Sequence, residues 1–139
     1  MTLVLDSSAT LAWIHGDERI EPIEALFDRV VESSAVVPGL WRLEVANSLN
    51  VAIRRKRISR SFRDEALDDL VQLDIVIDAE TDLHAWQATI RLADLYGLTA
   101  YDAAYLELAQ RRRLPLATLD RALADAARAA GIEVLPQTG

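Results

Sequence analysis

Five short runs of aliphatic and β-branched residues, separated by longer stretches of helical spacing, constrain this chain more than any other feature. They are Leu3-Val4-Leu5, Ala35-Val36-Val37, Ile75-Val76-Ile77, Pro115-Leu116-Ala117-Thr118 and Ile132-Glu133-Val134-Leu135. Apolar runs this short read as strands, and the first of them as a buried central one. Strands that alternate with helices pair in parallel and are covered on both faces. The expected fold is α/β, a three-layer α/β/α arrangement around a largely parallel sheet. With 139 residues and no linker or repeat, a single domain over residues 1–139 is expected, long enough to bury its own core.

The stretches between the strands read as seven helices. The first runs from Ala9 to His15, with Leu11, Ala12 and Trp13, and ends near Gly16. A second opens at Glu21-Pro22, proline being tolerated in a first turn. It turns Ile23, Leu26, Phe27, Val30 and Val31 inward. The third, Leu40 to Arg57, supplies Leu43, Ala46, Val51 and Ile53. Ser59 caps the fourth, Arg60 to about Leu73, with Phe62, Ala66, Leu67, Leu70 and Val71 inward. A fifth spans Thr81 to Gly97. Thr99 caps a sixth, which carries Tyr101, Ala104, Tyr105, Leu108 and Ala109 on one face. Asp120 opens the last, which Gly131 stops. Trp13, Trp41 and Trp86 are expected to be core or half-buried, and His15 and His84 to lie at the surface.

Composition excludes several classes. There is no cysteine, so disulfides and thiolate metal sites are ruled out. No apolar run is long enough to span a membrane, and a cytoplasmic protein without a membrane partner is expected. A net charge of −7 argues against a nonspecific nucleic-acid coat. Base is nevertheless concentrated, with Arg54, Arg55, Lys56, Arg57, Arg60 and Arg63 in one group and Arg111, Arg112 and Arg113 in another. The first group suits phosphates, or else a helix C-terminus and a solvated face. The second fits the helix-end explanation.

Four acids stand where such a sheet would gather them. Asp6 and Asp120 each follow a strand directly. Asp102 lies at the start of the helix that precedes the Asp120 strand, and Glu44 in the first turns of the helix after the Val36 strand. In an open parallel sheet, helices begin at the carboxyl edge of the strands, where ligands bind. Each acid singly has a structural reading. Asp6 and Asp120 suit N-caps, Thr99 to Asp102 has the form of a capping box, and Glu44 suits a solvated helix surface. Together, with a basic neighbour only beside Asp120, they would repel one another and raise their pKa values. A hard divalent cation, Mg²⁺ or Mn²⁺, is the natural compensation.

Val4-Leu5-Asp6-Ser7-Ser8, Leu40 to Asn47, Gly97 to Tyr105 and Leu116 to Asp120 resemble the motifs of PIN-domain nucleases, and among them the toxin subunits of VapBC-type toxin–antitoxin pairs. The resemblance covers essentially the whole chain. It implies that Asp6, Glu44, Asp102 and Asp120 build a metal site for endoribonuclease cleavage. It also implies that Ser7 or Ser8, Asn47 and Thr118 are polar neighbours of that site. Its further implications are an RNA substrate, an antitoxin protein wrapping the region of Trp13, and a homodimer; Arg54, Arg55 and Lys56 of the first basic group are the candidate phosphate contacts. The residue types leave open one ion or two, and whether Asp102 or Glu44 orients the attacking water. Two other enzymes are disfavoured. An aspartyl phosphatase would want a second aspartate where Ser8 stands, and a dinucleotide fold would want a glycine-rich first turn. The rival from another class is a non-catalytic interaction module of PIN-like fold whose acids serve as helix caps.

Overall fold

The computed structural model describes residues 2–16 and 21–137. Residues 1, 17–20, 138 and 139 of the expected single domain lie outside that set. The elements are β1 (Val4–Leu5), α1 (Ser7–His15), α2 (Glu21–Ser33), β2 (Ala35–Val37), α3 (Trp41–Arg54), α4 (Arg60–Val71), β3 (Ile75–Ile77), α5 (Thr81–His84), α6 (Ala88–Tyr96), α7 (Ala100–Arg112), β4 (Leu116–Ala117), α8 (Arg121–Ala129) and β5 (Val134–Leu135).

All the strand pairs are parallel, in the order β3-β2-β1-β4-β5, with Val4 opposite Val36 on one side and Leu116 on the other. The chain builds leftward from β1 to β3, then crosses to β4 and builds rightward. Right-handed crossovers therefore put α1–α4 on one face and α5–α8 on the other, in keeping with the contacts α1–α3, α3–α4, α6–α7 and α7–α8. The result is the three-layer α/β/α fold. The order reverses between β1 and β4, and a sheet of this kind opens a crevice there, at the carboxyl edge.

Between the layers, Leu3, Val4, Leu5, Val36 and Leu116 are fully buried together with Ile23, Leu49, Leu106 and Leu108 from the helices. Helix α7 is the central helix of its layer, with every residue from Ala103 to Ala109 buried against β1, β4 and α6.

Several helices turn differently from the sequence reading. Helix α3 buries Trp41, Val45, Leu49 and Ala52, a stripe four and three residues apart, and leaves Leu43 76% exposed. Val31, Phe62, Val71 and Tyr101 also face solvent rather than the core. The expected single helix over residues 81–97 is two, with Ala85 to Gln87 forming a turn between α5 and α6. No glycine or proline marks that break. Tertiary anchors decide it: Thr81 accepts the Gly39 N–H at 3.0 Å and donates to Asp78 at 3.0 Å, while α6 aligns on α7. Trp86 sits in the break and is 91% exposed, not half-buried. Trp41 is buried, with its indole N–H donating to Thr10 at 3.1 Å, and Trp13 stacks on Phe27 with centroids 4.6 Å apart. His15 and His84 are both partly covered.

Candidate active site

Asp6 is where β1 stops and α1 starts. Its backbone is extended, and its carboxylate accepts the Ala9 N–H at 2.9 Å, so it is the N-cap of α1. The same carboxylate accepts hydroxyls from Ser8 at 2.8 Å and from Thr118, and the residue is 3% exposed. Loss of hydration penalises the anion and pushes its carboxyl up to about 6. The bonds from Ala9, Thr118 and Ser8 oppose that rise, and the charge of Asp102 adds to it.

Asp120 repeats the device at β4. It accepts the Leu123 N–H at 2.9 Å as N-cap of α8, and its own N–H donates to Thr118 Oγ1 at 3.0 Å. Thr118, buried, therefore links the two strand ends.

Glu44 and Asp102 cap nothing. Helix α3 has no side-chain cap, and the cap of α7 is Thr99, which accepts the Asp102 N–H at 3.1 Å. Glu44 lies one turn into α3, half-buried, and accepts the phenol of Tyr105 from α7 on the opposite layer. Burial raises the Glu44 carboxyl; the bonds from Tyr105 and Ser7 oppose this, and the charge of Asp102 reinforces it. Asp102 is raised as well, first by burial and then by the charge of Asp120. The Tyr105 phenol is pushed far up by burial and by Glu44, so it stays a donor at any ordinary pH. The four acids thus share the rim at the switch point, where the charge of Asp102 bears on Asp6 and Glu44 and that of Asp120 on Asp102.

Residues 3–129 match the PIN domain family. The chain belongs to the PIN-domain family. Ribonuclease VapC3 of Pyrobaculum aerophilum is 32% identical over 125 residues, covering 90% of this chain and 94% of that protein. The crystal structure of PAE2754 from Pyrobaculum aerophilum superposes with a TM-score of 0.70 at 24% identity, over 97% of this chain and 91% of that one. VapBC2 from Rickettsia felis, bound to a DNA fragment from its promoter, gives 0.68 at 13% identity, over 96% and 97%. These two likenesses are of fold.

The donor chemistry of this PIN domain suits a hard divalent ion: the side chains described at the rim offer oxygen donors, carboxylate and hydroxyl, and three of the four carboxyls are raised. The side chains do not close into a coordination shell. Among the described residues, no group of three or more acids and histidines is arranged to hold a metal ion. Asp6 is fixed by its hydrogen bonds, so a cation held here would require the other carboxylates to turn toward it.

Of the polar neighbours expected from the sequence, Thr118 bonds Asp6 and Ser7 bonds Glu44, while Ser8 takes the Asp6 contact and also accepts the Leu119 N–H at 2.8 Å. Asn47 is exposed one turn beyond Glu44 and does not reach the acids; it borders a separate cleft. Arg54, Arg55 and Lys56 sit at the far end of α3, away from the rim. Helical spacing alone marks Tyr105 as a core residue of its helix; its bond to Glu44 is a feature of the structure. Its spacing of three from Asp102, which puts both on one face of α7, was the available signal.

A metal-free stability measurement follows from this PIN domain's charge. The Asp6 carboxyl is raised from an ordinary value near 4 to about 6 in the fold. Its contribution is thus fully favourable below pH ~4 and is lost as pH rises through 6. Asp6→Asn should raise metal-free stability at pH 8 by about 1–2 kcal/mol, part of the roughly 3 kcal/mol that two pKa units represent. The gain should fade below pH ~4. Thermal melts check this, and equal or lower stability at pH 8 would refute the charge-strain account. Millimolar Mn²⁺ should raise the midpoint of the natural chain and leave that of Asp6→Asn/Asp102→Asn unmoved.

Proposed function

We propose that this PIN domain is a divalent-metal-dependent endoribonuclease, acting in the cytoplasm as the toxin of a type II toxin–antitoxin pair. The observation that carries the reading is the gathering of Asp6, Glu44, Asp102 and Asp120 at the switch point of the sheet, with the charge of Asp102 bearing on Asp6 and Glu44 and that of Asp120 on Asp102. The 32% identity to Ribonuclease VapC3 supports it. Mg²⁺, or Mn²⁺ in its place, would when bound lower the pKa of a water and offset charge on a non-bridging phosphate oxygen. The protein's own residues do the rest. Asp6 is fixed by three hydrogen bonds and acts as the rigid member of the set. Tyr105 holds Glu44 from across the rim. Asp102, free of capping duty, is the carboxylate best placed to orient the attacking water. Asp120 completes the set while fixing α8.

The rival, an interaction module whose acids are caps, draws on a real observation: Asp6 and Asp120 do cap α1 and α8. It leaves unexplained why Glu44 and Asp102, which cap nothing, are held half-buried with raised carboxyls. Cleavage of a mixed structured-RNA pool with Mg²⁺ and with EDTA tests the reading. Metal-dependent cutting is expected; cutting that survives EDTA, or none with any structured RNA, would reject it.

Two partners belong to the same proposal. An antitoxin is suggested by the VapBC2 complex. A second copy of this chain is suggested by Leu83, Trp86 and Ile90, large apolar residues exposed together along α5 and the start of α6. Trp86→Glu should convert a dimer to a monomer in sedimentation equilibrium. A natural chain already monomeric at micromolar concentration would remove the dimer from the proposal.

A further inference from the structure

Away from the acid rim, α1, α3 and α4 enclose a cleft of about 710 Å³, within the range of small-molecule sites. It starts one turn beyond Glu44. Glu44, Asn47, Ser48, Val51 and Arg55 are spaced by three and four residues, so one face of α3 leads from the acids to the cleft's basic end. Eleven residues of helix make that track about 16 Å long.

The basic end is shaped by how α3 stops. Lys56 adopts φ 59°, Lys56 N–H donates to Ile53 and Arg57 N–H to Ala52. This is a Schellman ending, which folds the chain back on the helix. Arg55 and Arg57 are thereby both brought to line the cleft. Arg63, Arg111, Arg112 and Arg128 are paired with acids, but among the described residues none lies at ion-pair distance from Arg54, Arg55, Lys56, Arg57 or Arg60. Arg29, Arg42, Arg91, Arg113 and Arg121 also lack an acid at ion-pair distance among the described residues, but they are scattered, whereas these five fall within residues 54–60 of a chain of net charge −7. Opposite them, His15 and Phe62 line the same cleft with rings 10° from parallel and centroids 6.4 Å apart. Phe62 is 38% exposed, the price of a residue whose ring is offered to solvent rather than to the core.

We propose that this cleft is a nucleotide subsite for single-stranded RNA, a few nucleotides from the scissile phosphate. Arg55 and Arg57 hold a backbone phosphate, and Phe62, flanked by His15, stacks a base. Free cations beside an exposed aromatic face are what sequence-tolerant single-strand binding requires. The inference deepens the ribonuclease reading and rests on it.

The test is binding without chemistry: fluorescence anisotropy of a short mixed-sequence oligoribonucleotide in EDTA, across a salt series. Phe62→Ala should weaken binding about five- to a hundredfold, the usual loss for one stacked base, and leave the salt slope unchanged. Phe62→Leu, which keeps apolar bulk without a π-face, should weaken it similarly, and Phe62→Tyr should not. Arg55→Gln/Arg57→Gln should make the log–log salt slope shallower by roughly 0.7 for each phosphate released, and Arg91→Gln, on α6, should not. Wild-type affinity in the Phe62 and arginine variants would overturn the subsite and leave the cleft to a protein partner, as would no binding by the natural chain at low salt. Metal-dependent cleavage is scored separately. Its absence with oligonucleotide binding intact would reject the nuclease, not the subsite.

Discussion

Replacing Asp6 and Asp102 together by alanine is expected to abolish metal-dependent RNA cleavage, with a loss on the order of a thousandfold or more. The magnitude follows from what the site is asked to supply. A metal that stabilises transition-state charge contributes several kcal/mol, and each ~1.4 kcal/mol is a factor of ten in rate. Removing two of four carboxylates leaves too few oxygen donors to retain the ion. The fold should survive. Asp6→Ala loses the cap of α1, at about 1 kcal/mol, but also removes a buried anion whose carboxyl is already raised. Asp102 caps nothing. Full-length single-turnover cleavage at saturating Mg²⁺ is the measurement, with a thermal melt to establish folding. A folded variant that cuts at a tenth of the natural rate or better would take these acids out of the chemistry. Asp120→Ala is less informative, because it removes the α8 cap without relieving a comparably buried charge.

The largest effect on stability is expected at the edge strand β3. Asp78, just past β3, is buried and bonds Arg111 at 2.7 Å, Arg112 at 3.1 Å and Thr81 at 3.0 Å. Arg111 also bonds Glu107 at 2.8 Å, and Arg111 is itself mostly covered. Burial alone would push the Asp78 carboxyl up. The bonds from Arg111, Arg112 and Thr81 outweigh it and hold the group well below the usual carboxylate range. Asp78→Ala would leave Arg111 buried with one partner fewer and would free Thr81 from β3. Breaking a buried pair from one side costs about 3–5 kcal/mol. Since Glu107 remains, about 3 kcal/mol is expected, or roughly 10 °C in midpoint. The pH dependence has the opposite sign to that of Asp6. A depressed carboxyl contributes stability that is present above pH ~4 and is lost as pH falls through the folded value. Natural and variant chains should therefore converge in strong acid. A cost under about 1 kcal/mol at pH 7 would show the network to be solvent-screened, like an ordinary surface pair.

Arg111 and Arg112 illustrate how sequence reading fared. Their clustering at a helix end pointed to a structural role, and both join the Asp78 network. What the sequence could not supply was Asp78 itself, 33 residues earlier and in a strand-ending position no different in appearance from that of Asp6. One strand-end aspartate meets arginines and is pulled down, and the other meets only hydroxyls, an amide and acids and is pushed up. The neighbours, not the residue, set the difference.

The sequence by itself determined the alternation of strands and helices, the caps at Asp6, Ser59, Thr99 and Asp120, and therefore which edge of the sheet carries the acids. These depend on residue type and spacing over a few positions, and local forces decide them. Tertiary structure alone decided that α3 rolls Leu43 out and Trp41 in, that the stretch over residues 81–97 breaks at Ala85 to Gln87, and that Tyr105 crosses from one layer to hold Glu44 on the other. Each of these depends on a partner more than 30 residues away or on competition between two buried faces. Helical spacing says that a stripe exists; only the element packed against it decides which stripe is buried.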